Sequence, residues 1–217
     1  MNVSLIRCTE NPDELAGLAA ALCSGSEHPE KALHTALRSR HESIIEHASV
    51  TFLVEGVSRV LLAQITRHRL ASFSVQSQRY TGVKPVWIVP PQVAAKGFKL
   101  SYLDSCDRDY QLFCDMVRCG VPAEDARYLI PQGVACNLML TMNLRELRHF
   151  FSLRCCNKAQ WEIRALADEM LQLCYEKAPV IFAIAGPGCV RGECPEARPC
   201  GKPRTYDPKL LDGGADV

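Results

Sequence analysis

An apolar run that leads directly into a basic cluster constrains this chain more than any other feature. Residues 57–65 are mostly apolar and predict a buried helix, and the tripeptide Arg-His-Arg follows at 67–69. The helix brings these side chains to its C-terminal end, where the helix dipole favours cations. Residues 70–80 lose the helical period and are rich in Ser and Gln, which predicts an extended, hydrogen-bonding segment. Taken alone, the tripeptide is more typical of a simple helix cap, whereas arginines beside hydroxyls and amides suit a phosphate and a polar ring.

Length, charge and cysteine content narrow the class of protein. The 217 residues are enough for one sizeable core with an appended tail. The net charge of +1 gives no reason to expect a nucleic acid or a membrane surface as the main partner. The sequence has no signal-peptide pattern and no apolar stretch of about 18 residues, so a cytoplasmic protein is expected. The twelve cysteines are scattered without an export signal, which favours reduced thiols.

Periodicity predicts one α+β domain followed by a tail. The domain covers residues 1–188, and an irregular, cysteine-containing tail covers 189–217. Helices are predicted within the ranges 11–25, 29–40, 99–119, 121–127, 143–155 and 159–177. Strands are predicted within 48–56, 86–89 and 133–140, and periodicity leaves a helix open in the last range.

A histidine and glutamate cluster precedes the first predicted strand. His41, Glu46 and His47 have suitable metal-ligand chemistry, but helical geometry does not place the two histidines on one face. A polar turn whose groups bond one another explains the cluster equally well. The cysteines of the tail lack the close pairs of a zinc knuckle: Cys189, Cys194 and Cys200. No metal is therefore expected.

Phosphate ligands would have to be held by side chains. The chain has neither a Gly-x-Gly-x-x-Gly turn nor a Walker loop. Basic groups that could replace such a loop lie in separate segments: Arg67, Arg69, Arg79, Arg127, Arg145 and Arg154. Arginines distributed in this way suit several phosphates at once, as in a dinucleotide together with a nucleotide.

Several segments resemble, in the same order, those of the flavin-dependent thymidylate synthases. After Arg-His-Arg come seven residues, Ser77, one residue and Arg79, which is similar to the long signature of that family. The other similar segments lie between roughly residues 41 and 185: Glu46-His47, Gln64, Gly120-Val-Pro with Arg127, Asn143-x-Arg145, Leu153-Arg154 and Ala159-Gln-Trp-Glu162.

The resemblance implies both a fold and a reaction. The fold is a single mixed α/β domain, with helices packed on a central, mostly antiparallel sheet, that assembles as a homotetramer with shared active sites. The enzyme binds FAD, takes hydride from NADPH and transfers a methylene from methylenetetrahydrofolate to dUMP, which gives dTMP without a cysteine nucleophile. Arg154 matches the residue that activates the uracil ring, where a fixed guanidinium stabilises the negative charge that develops.

The same resemblance assigns binding residues. The FAD-binding positions match Ser43, Arg67, His68, Arg69, Val75, Asn143, Arg145 and His149, with His41 and Glu46 nearby. The dUMP-binding positions match Gln64, Ile65, Thr66, Arg67, Val75, Gln76, Ser77, Gln78, Arg79, Arg127 and Arg154.

Three positions depart from the family pattern, and two other functions remain open. Val75 stands where many relatives have Glu, His149 where others have Asn, and Lys158 where some have His. The first alternative is a nucleotide-binding or metal-dependent hydrolase that uses the histidine and glutamate cluster as metal ligands and the arginines to hold phosphate. The second is an RNA-binding module, which is disfavoured because aromatic residues are not interleaved with the basic ones.

Overall fold

A computed structural model describes residues 1–80, 82 and 84–205 of the chain. Its sheet is antiparallel, with the strand order β1-β2-β4-β3. The strands are β1 (Asn2–Cys8), β2 (Ser49–Ser58), β3 (Ala71–Val75) and β4 (Ala135–Asn143). Together with the helices this confirms the predicted α+β fold with an antiparallel sheet.

Helices make up most of the remaining regular structure in the described ranges. They are α1 (Pro12–Ser24), α2 (Pro29–Arg38), α3 (Arg59–Ile65), α4 (Pro91–Ala95), α5 (Lys99–Arg118), α6 (Ala123–Ala126), α7 (Leu144–Arg154), α8 (Trp161–Lys177) and α9 (Pro179–Phe182). Short 3-10 turns occupy Glu42–Ile45, Arg127–Leu129 and Gly188–Arg191. The predicted helices are all present in the described chain, whereas the short helices α4 and α9 were not predicted.

The chain divides into two compact units. The first contains residues 1–2, 54–67 and 73–139, and so includes α3, α4, α5 and α6. Among the described residues, the second contains 3–53, 68–72 and 140–205, and so includes α1, α2, α7, α8 and α9. The described part of the predicted tail, 189–205, falls in the second unit, and residues 206–217 lie outside the described residues. The boundary at residue 188 stays a prediction.

Alternating burial explains why β4 is a strand where periodicity left a helix open. Every second side chain of β4 is buried, from Cys136 through Leu138 and Leu140 to Met142. This period of two matches a pleated strand with one face in the core. On the other face, the hydroxyl of Thr141 forms a 2.9 Å hydrogen bond with that of Thr51 on β2.

Local predictions were wrong at three places. Residues 2–8 form a strand that periodicity did not indicate, and residues 86–89 contribute only an isolated antiparallel bridge from Trp87 to Val134. Asn11 has a φ of 43° and its side chain does not cap α1, so the helix begins instead on the pre-formed backbone of Pro12. No helix within the described ranges is long and apolar enough to cross a membrane.

Candidate active site

The second unit holds a hydrogen-bonded chain of three polar side chains, of which His68 and Glu146 are buried and Arg154 is half buried. Nδ1 of His68 lies 2.9 Å from Oε1 of Glu146, and Nε of Arg154 donates to Nε2 of His68 over 3.1 Å. His68 and Glu146 are only 5% and 6% exposed. Because Nε2 accepts from the guanidinium, the ring proton resides on Nδ1 and is donated to the carboxylate. The arrangement thus fixes one tautomer of the histidine and one orientation of Arg154.

Helical spacing on α7 produces this arrangement. Asn143 is the N-cap, and its side chain accepts the backbone N–H of Glu146 over 2.8 Å. Steps of four residues then place Glu146, Phe150 and Arg154 on one face of the helix. Each of the three contacts His68, and Phe150 does so edge to face, with the ring centroids 4.9 Å apart.

Burial sets the protonation state of the histidine. Desolvation lowers the pKa of His68, and the positive charge of Arg154 and neighbouring His149 act in the same direction. The hydrogen bond and charge of Glu146 oppose this shift without cancelling it. His68 is therefore neutral at neutral pH, as an acceptor of the arginine N–H must be.

His68, Glu146 and His149 also offer ligand atoms that all lie within 4.8 Å of one another. Both ring nitrogens of His68 are already bonded, one to the carboxylate and one to Arg154, so His68 and Glu146 serve as a hydrogen-bonded support for Arg154 rather than as metal ligands. Within residues 1–80, 82 and 84–205, the side chains of His41, Glu46 and His47 do not form such a set of three closely spaced metal-ligand atoms.

Two further ion pairs join α7 to the segment at 42–46 in the second unit. Glu46 pairs with Arg145, and Glu42 with Arg148 at 3.3 Å. The Glu46 pair raises the pKa of Arg145. Arg148 is buried, and its Nε and Nη1 atoms have no hydrogen-bond partner in the protein. Desolvation lowers the pKa of Arg148, but the group stays cationic, so it can accept an anionic ligand.

In the first unit, two predicted dUMP-binding arginines meet at Glu124. Arg79 pairs with the Glu124 carboxylate, and Nε of Arg127 donates to the Glu124 carbonyl over 3.1 Å. The guanidinium of Arg79 also lies over the ring of Tyr80, 5.2 Å from its centroid. The Arg79 pair is half exposed and therefore easily exchanged for a stronger anion.

A cavity of about 200 Å³ in the first unit brings together three more of the predicted dUMP-binding residues. They are Gln76, Ser77 and Gln78, and the cavity wall also includes Arg59 and Lys84. Nη2 of Arg59 donates to the Gln76 carbonyl over 2.9 Å, and its buried Nε has no hydrogen-bond partner in the protein. Sequence reasoning missed both cations. A signal existed for Arg59, since a base in the first turn of a helix opposes the dipole.

The remaining residues that were predicted to bind FAD or dUMP range from fully buried to exposed. Arg67 and Arg69 are exposed on either side of buried His68, and Ser43 is exposed on the 3-10 turn. Ile65 is fully buried, and the Thr66 hydroxyl donates to the Leu62 carbonyl over 2.9 Å, so both side chains have structural partners. The others are half buried or exposed: Gln64, Val75, Asn143, Arg145 and His149. Their ligand contacts stay predictions.

The arginines and amides that this antiparallel α+β scaffold presents are of the kind that suit anionic, ring-bearing ligands. The model of the family described as thymidylate synthase complementing protein matches residues 4–180. A flavin-dependent thymidylate synthase of Geobacter sulfurreducens is 44% identical, over 93% of this chain and 94% of its own length. One of Nitratidesulfovibrio vulgaris is 45% identical, over 87% of this chain and 83% of its own.

A solved structure shows the same fold at lower sequence identity. The crystal structure of a UMP/dUMP methylase from Streptomyces cacaoi, bound with 5-Br dUMP, has a TM-score of 0.75 and 23% identity. The likeness covers 83% of this chain and 92% of that one. The chain belongs to the family of flavin-dependent thymidylate synthases.

Proposed function

We propose that this protein is an FAD-dependent thymidylate synthase that methylates dUMP to dTMP. Family membership supports this activity, and one observation carries the catalytic part: Arg154 is held in a fixed orientation by a buried, neutral histidine. A guanidinium of fixed position stabilises charge that develops in a transition state, because it needs no reorganisation during the reaction.

The arginine and amide groups of the first unit suit dUMP. Its phosphate is a dianion that accepts paired N–H donors, which Arg79 and Arg127 supply, and Ser77 and Gln78 offer hydrogen bonds to phosphate and sugar. Arg59 and Lys84 add positive charge to the same cavity wall. Binding then requires Arg79 to leave Glu124, an exchange that costs little for an exposed pair.

The donors of the second unit fit FAD. The pyrophosphate of FAD needs cationic N–H donors, and Arg69, Arg145 and buried Arg148 provide them. The strongest support for this assignment is that Nε and Nη1 of Arg148 are buried and have no hydrogen-bond partner in the protein. Buried donors without partners are uncommon unless a ligand accepts their hydrogen bonds. Ser43 and His149 can hydrogen-bond to the rings. Bound FAD, once reduced by NADPH, supplies hydride.

The proposed reaction balances with methylenetetrahydrofolate as carbon donor. The methylene carbon becomes bonded to C5 of uracil, and its two bonds to the folate nitrogens break. Those nitrogens take up the proton that leaves C5 and one proton from solvent, and one hydride completes the methyl group, so tetrahydrofolate is the leaving group. As C5 attacks, negative charge spreads over the uracil ring, and Arg154 neutralises it. His68 and Glu146 hold that guanidinium and remain unchanged.

No cysteine is needed as a nucleophile in this proposal. Cys155, next to Arg154, is fully buried and suits a packing role, and Cys156 is half buried. The homotetramer, in which each active site draws on several subunits, and the cytoplasmic location are likewise part of the proposal, and both rest on the family and the sequence.

The first test is the visible absorption spectrum of the protein after incubation with FAD and desalting. We expect retained flavin bands that shift when dUMP is added, because hydride transfer requires the flavin and the nucleotide to meet during the reaction. Turnover with methylenetetrahydrofolate and NADPH then completes the assignment. A protein that retains no flavin from excess FAD would refute the proposed function.

The role of Arg154 is tested by Arg154→Ala. The variant should lose thymidylate formation by a factor of about 10²–10³, the usual effect of removing a group that stabilises transition-state charge, and should keep FAD. Arg118→Ala is the matched control, because Arg118 is an exposed arginine at a helix end that pairs only with Asp115 three residues earlier. Near-normal turnover of the Arg154 variant would exclude the proposed role.

A further inference from the structure

Four of the twelve cysteines line one cavity of about 260 Å³ in the second unit. Cys156 follows the end of α7, and the other three belong to the tail: Cys189, Cys194 and Cys200. Sequence spacing alone gives no reason to group Cys156 with them. The fold places Cys156 beside the three cysteines of the tail, which lie near one another in the sequence.

The tail is fixed against the body of the second unit by several contacts. The guanidinium of Arg204 binds the carboxylate of Asp168 with two hydrogen bonds of 2.9 and 2.8 Å, and it also donates to the Cys155 carbonyl over 2.7 Å. Glu196 pairs with Lys158 at 3.1 Å. The Asp168 pair is bidentate and partly buried, the strong form of such a bond, so the cavity is a built feature of the structure.

N–H groups already donate to two of the sulfur atoms. The backbone N–H of Arg204 donates to Sγ of Cys189 over 3.5 Å, and Nδ2 of Asn157 donates to Sγ of Cys200 over 3.8 Å. Donors of this kind stabilise thiolates, and they set the properties of metal-bound sulfur. Lys158 and Lys202 line the same cavity, and their positive charges offset those of several thiolates.

The spacing of the sulfur atoms distinguishes a cluster from a single ion. Four thiolates around one zinc ion, at about 2.3 Å each, lie within about 4 Å of one another. Among the described residues, the ligand atoms of His68, Glu146 and His149 are the one set of three that all lie within 4.8 Å of one another. No three of the four cysteine sulfurs are that close together. The cavity is also far larger than one ion. Four cysteines at wider spacing around an open volume match the ligand set of an iron–sulfur cluster.

We propose that Cys156, Cys189, Cys194 and Cys200 bind a metal centre through four thiolates, and that this centre is an iron–sulfur cluster. Each thiol loses its proton to solvent as its sulfur bonds to iron. The proposal is independent of thymidylate formation, because the four cysteines lie outside the set of residues assigned to FAD and dUMP. It would tie the tail to the second unit in addition to the Arg204 contacts.

The test measures iron, zinc and acid-labile sulfide in the full-length protein. The chain is purified without oxygen, freed of flavin, and supplied with equal ferrous and ferric iron plus sulfide, or with zinc alone, then desalted. We expect about four iron atoms and four sulfides per chain. Cys194→Ser and Cys200→Ser should each lower both by more than half. Cys119→Ser, an exposed cysteine at the end of α5, should leave them unchanged.

Three results would overturn the proposal. The first is absence of tightly held iron and sulfide in a protein whose circular dichroism shows it to be folded. The second is iron retained equally in the tail variants and the Cys119 control. The third is about one zinc ion per chain without sulfide, lost in the tail variants, which would replace the cluster by a single-ion site. Cys200 is exposed, so its serine variant folds even if that of Cys194 does not.

Discussion

Replacement of Glu146 by leucine should damage catalysis through Arg154. Glu146→Leu removes the acceptor 2.9 Å from Nδ1 of His68, which leaves a buried N–H unsatisfied and costs ~1–3 kcal/mol of folding free energy. The ring then has no reason to keep its proton on Nδ1. A proton on Nε2 would face the N–H of Arg154, which loses its fixed orientation. We expect kcat to fall about ten- to a hundredfold, equivalent to ~1.4–2.7 kcal/mol of transition-state stabilisation.

Glu146→Gln separates the hydrogen bond from the charge. The amide oxygen of glutamine still accepts from Nδ1 of His68, so the tautomer and the orientation of Arg154 survive and most of kcat should be retained. The negative charge of Glu146 raises the pKa of His68, so its loss should move the acidic limb of the pH profile of kcat to lower pH. A role in packing alone predicts neither the recovery nor the shift.

The wild-type pH dependence follows from the same histidine. The folded-state pKa of His68 lies below the unfolded value of about 6.5, so its contribution to stability is complete above that pH and decreases as the pH falls toward the folded pKa. Protonation of Nε2 also removes the acceptor for Arg154. Activity should therefore be flat at and above neutral pH and fall on the acidic side of the unfolded-state pKa of His68, in steady-state assays from pH 5 to 9.

Asp13→Ala is the matched control for loss of a partly buried carboxylate. Asp13 accepts the backbone N–H groups of Val180 and Ile181 over 3.0 and 3.1 Å, in the same unit as Glu146. Its loss should lower thermal stability by a similar ~1–3 kcal/mol without a change in the pH profile. The reasoning about Glu146 fails if Glu146→Leu keeps kcat within twofold, or if Asp13→Ala shows the same loss and the same profile.

Three further outcomes are expected. Glu124→Gln should tighten dUMP binding up to about fivefold in calorimetry, because Arg79 no longer has to leave an ion pair worth at most ~1 kcal/mol. Gly133→Ala should lower the melting temperature, because its Cβ would lie 1.9 Å from the Tyr102 hydroxyl, and unchanged stability would contradict that packing. Arg148→Met should weaken FAD binding at least tenfold, since it removes a buried cation with two unpaired donors.

Local periodicity was sufficient for most of the fold. The alternation in β2 and the apolar spacing in α5 depend on neighbours in the chain, and both elements lie where they were predicted. For β4, only the alternating burial in the structure decides between strand and helix. Strand β1 was missed because its burial does not alternate and its pairing with β2 is non-local, as in the 3.0 Å bond from the Thr9 N–H to the Ser49 carbonyl. Pairing with a distant strand cannot be inferred from the seven residues of β1 alone.

The candidate site was only partly predictable for the same reason. Family resemblance indicated His68 and Arg154, but Glu146 was missed because an acid three residues after an N-cap is an ordinary feature of a helix start. Only its burial distinguishes it, and burial is a tertiary property. Cys156 was likewise separated from the tail cysteines by more than thirty residues of sequence. Constellations drawn from distant segments need the fold before they can be recognised.

The Arg-His-Arg tripeptide itself divides into two roles. A simple helix cap would leave all three side chains in solvent near the end of α3. Instead, His68 is buried and bonded on both ring nitrogens, whereas Arg67 and Arg69 on either side of it are exposed. A buried, doubly bonded histidine restricts the backbone between its neighbours, so both arginines are presented from a rigid base. Binding of an anion to them therefore loses less conformational entropy than binding to arginines on a free turn.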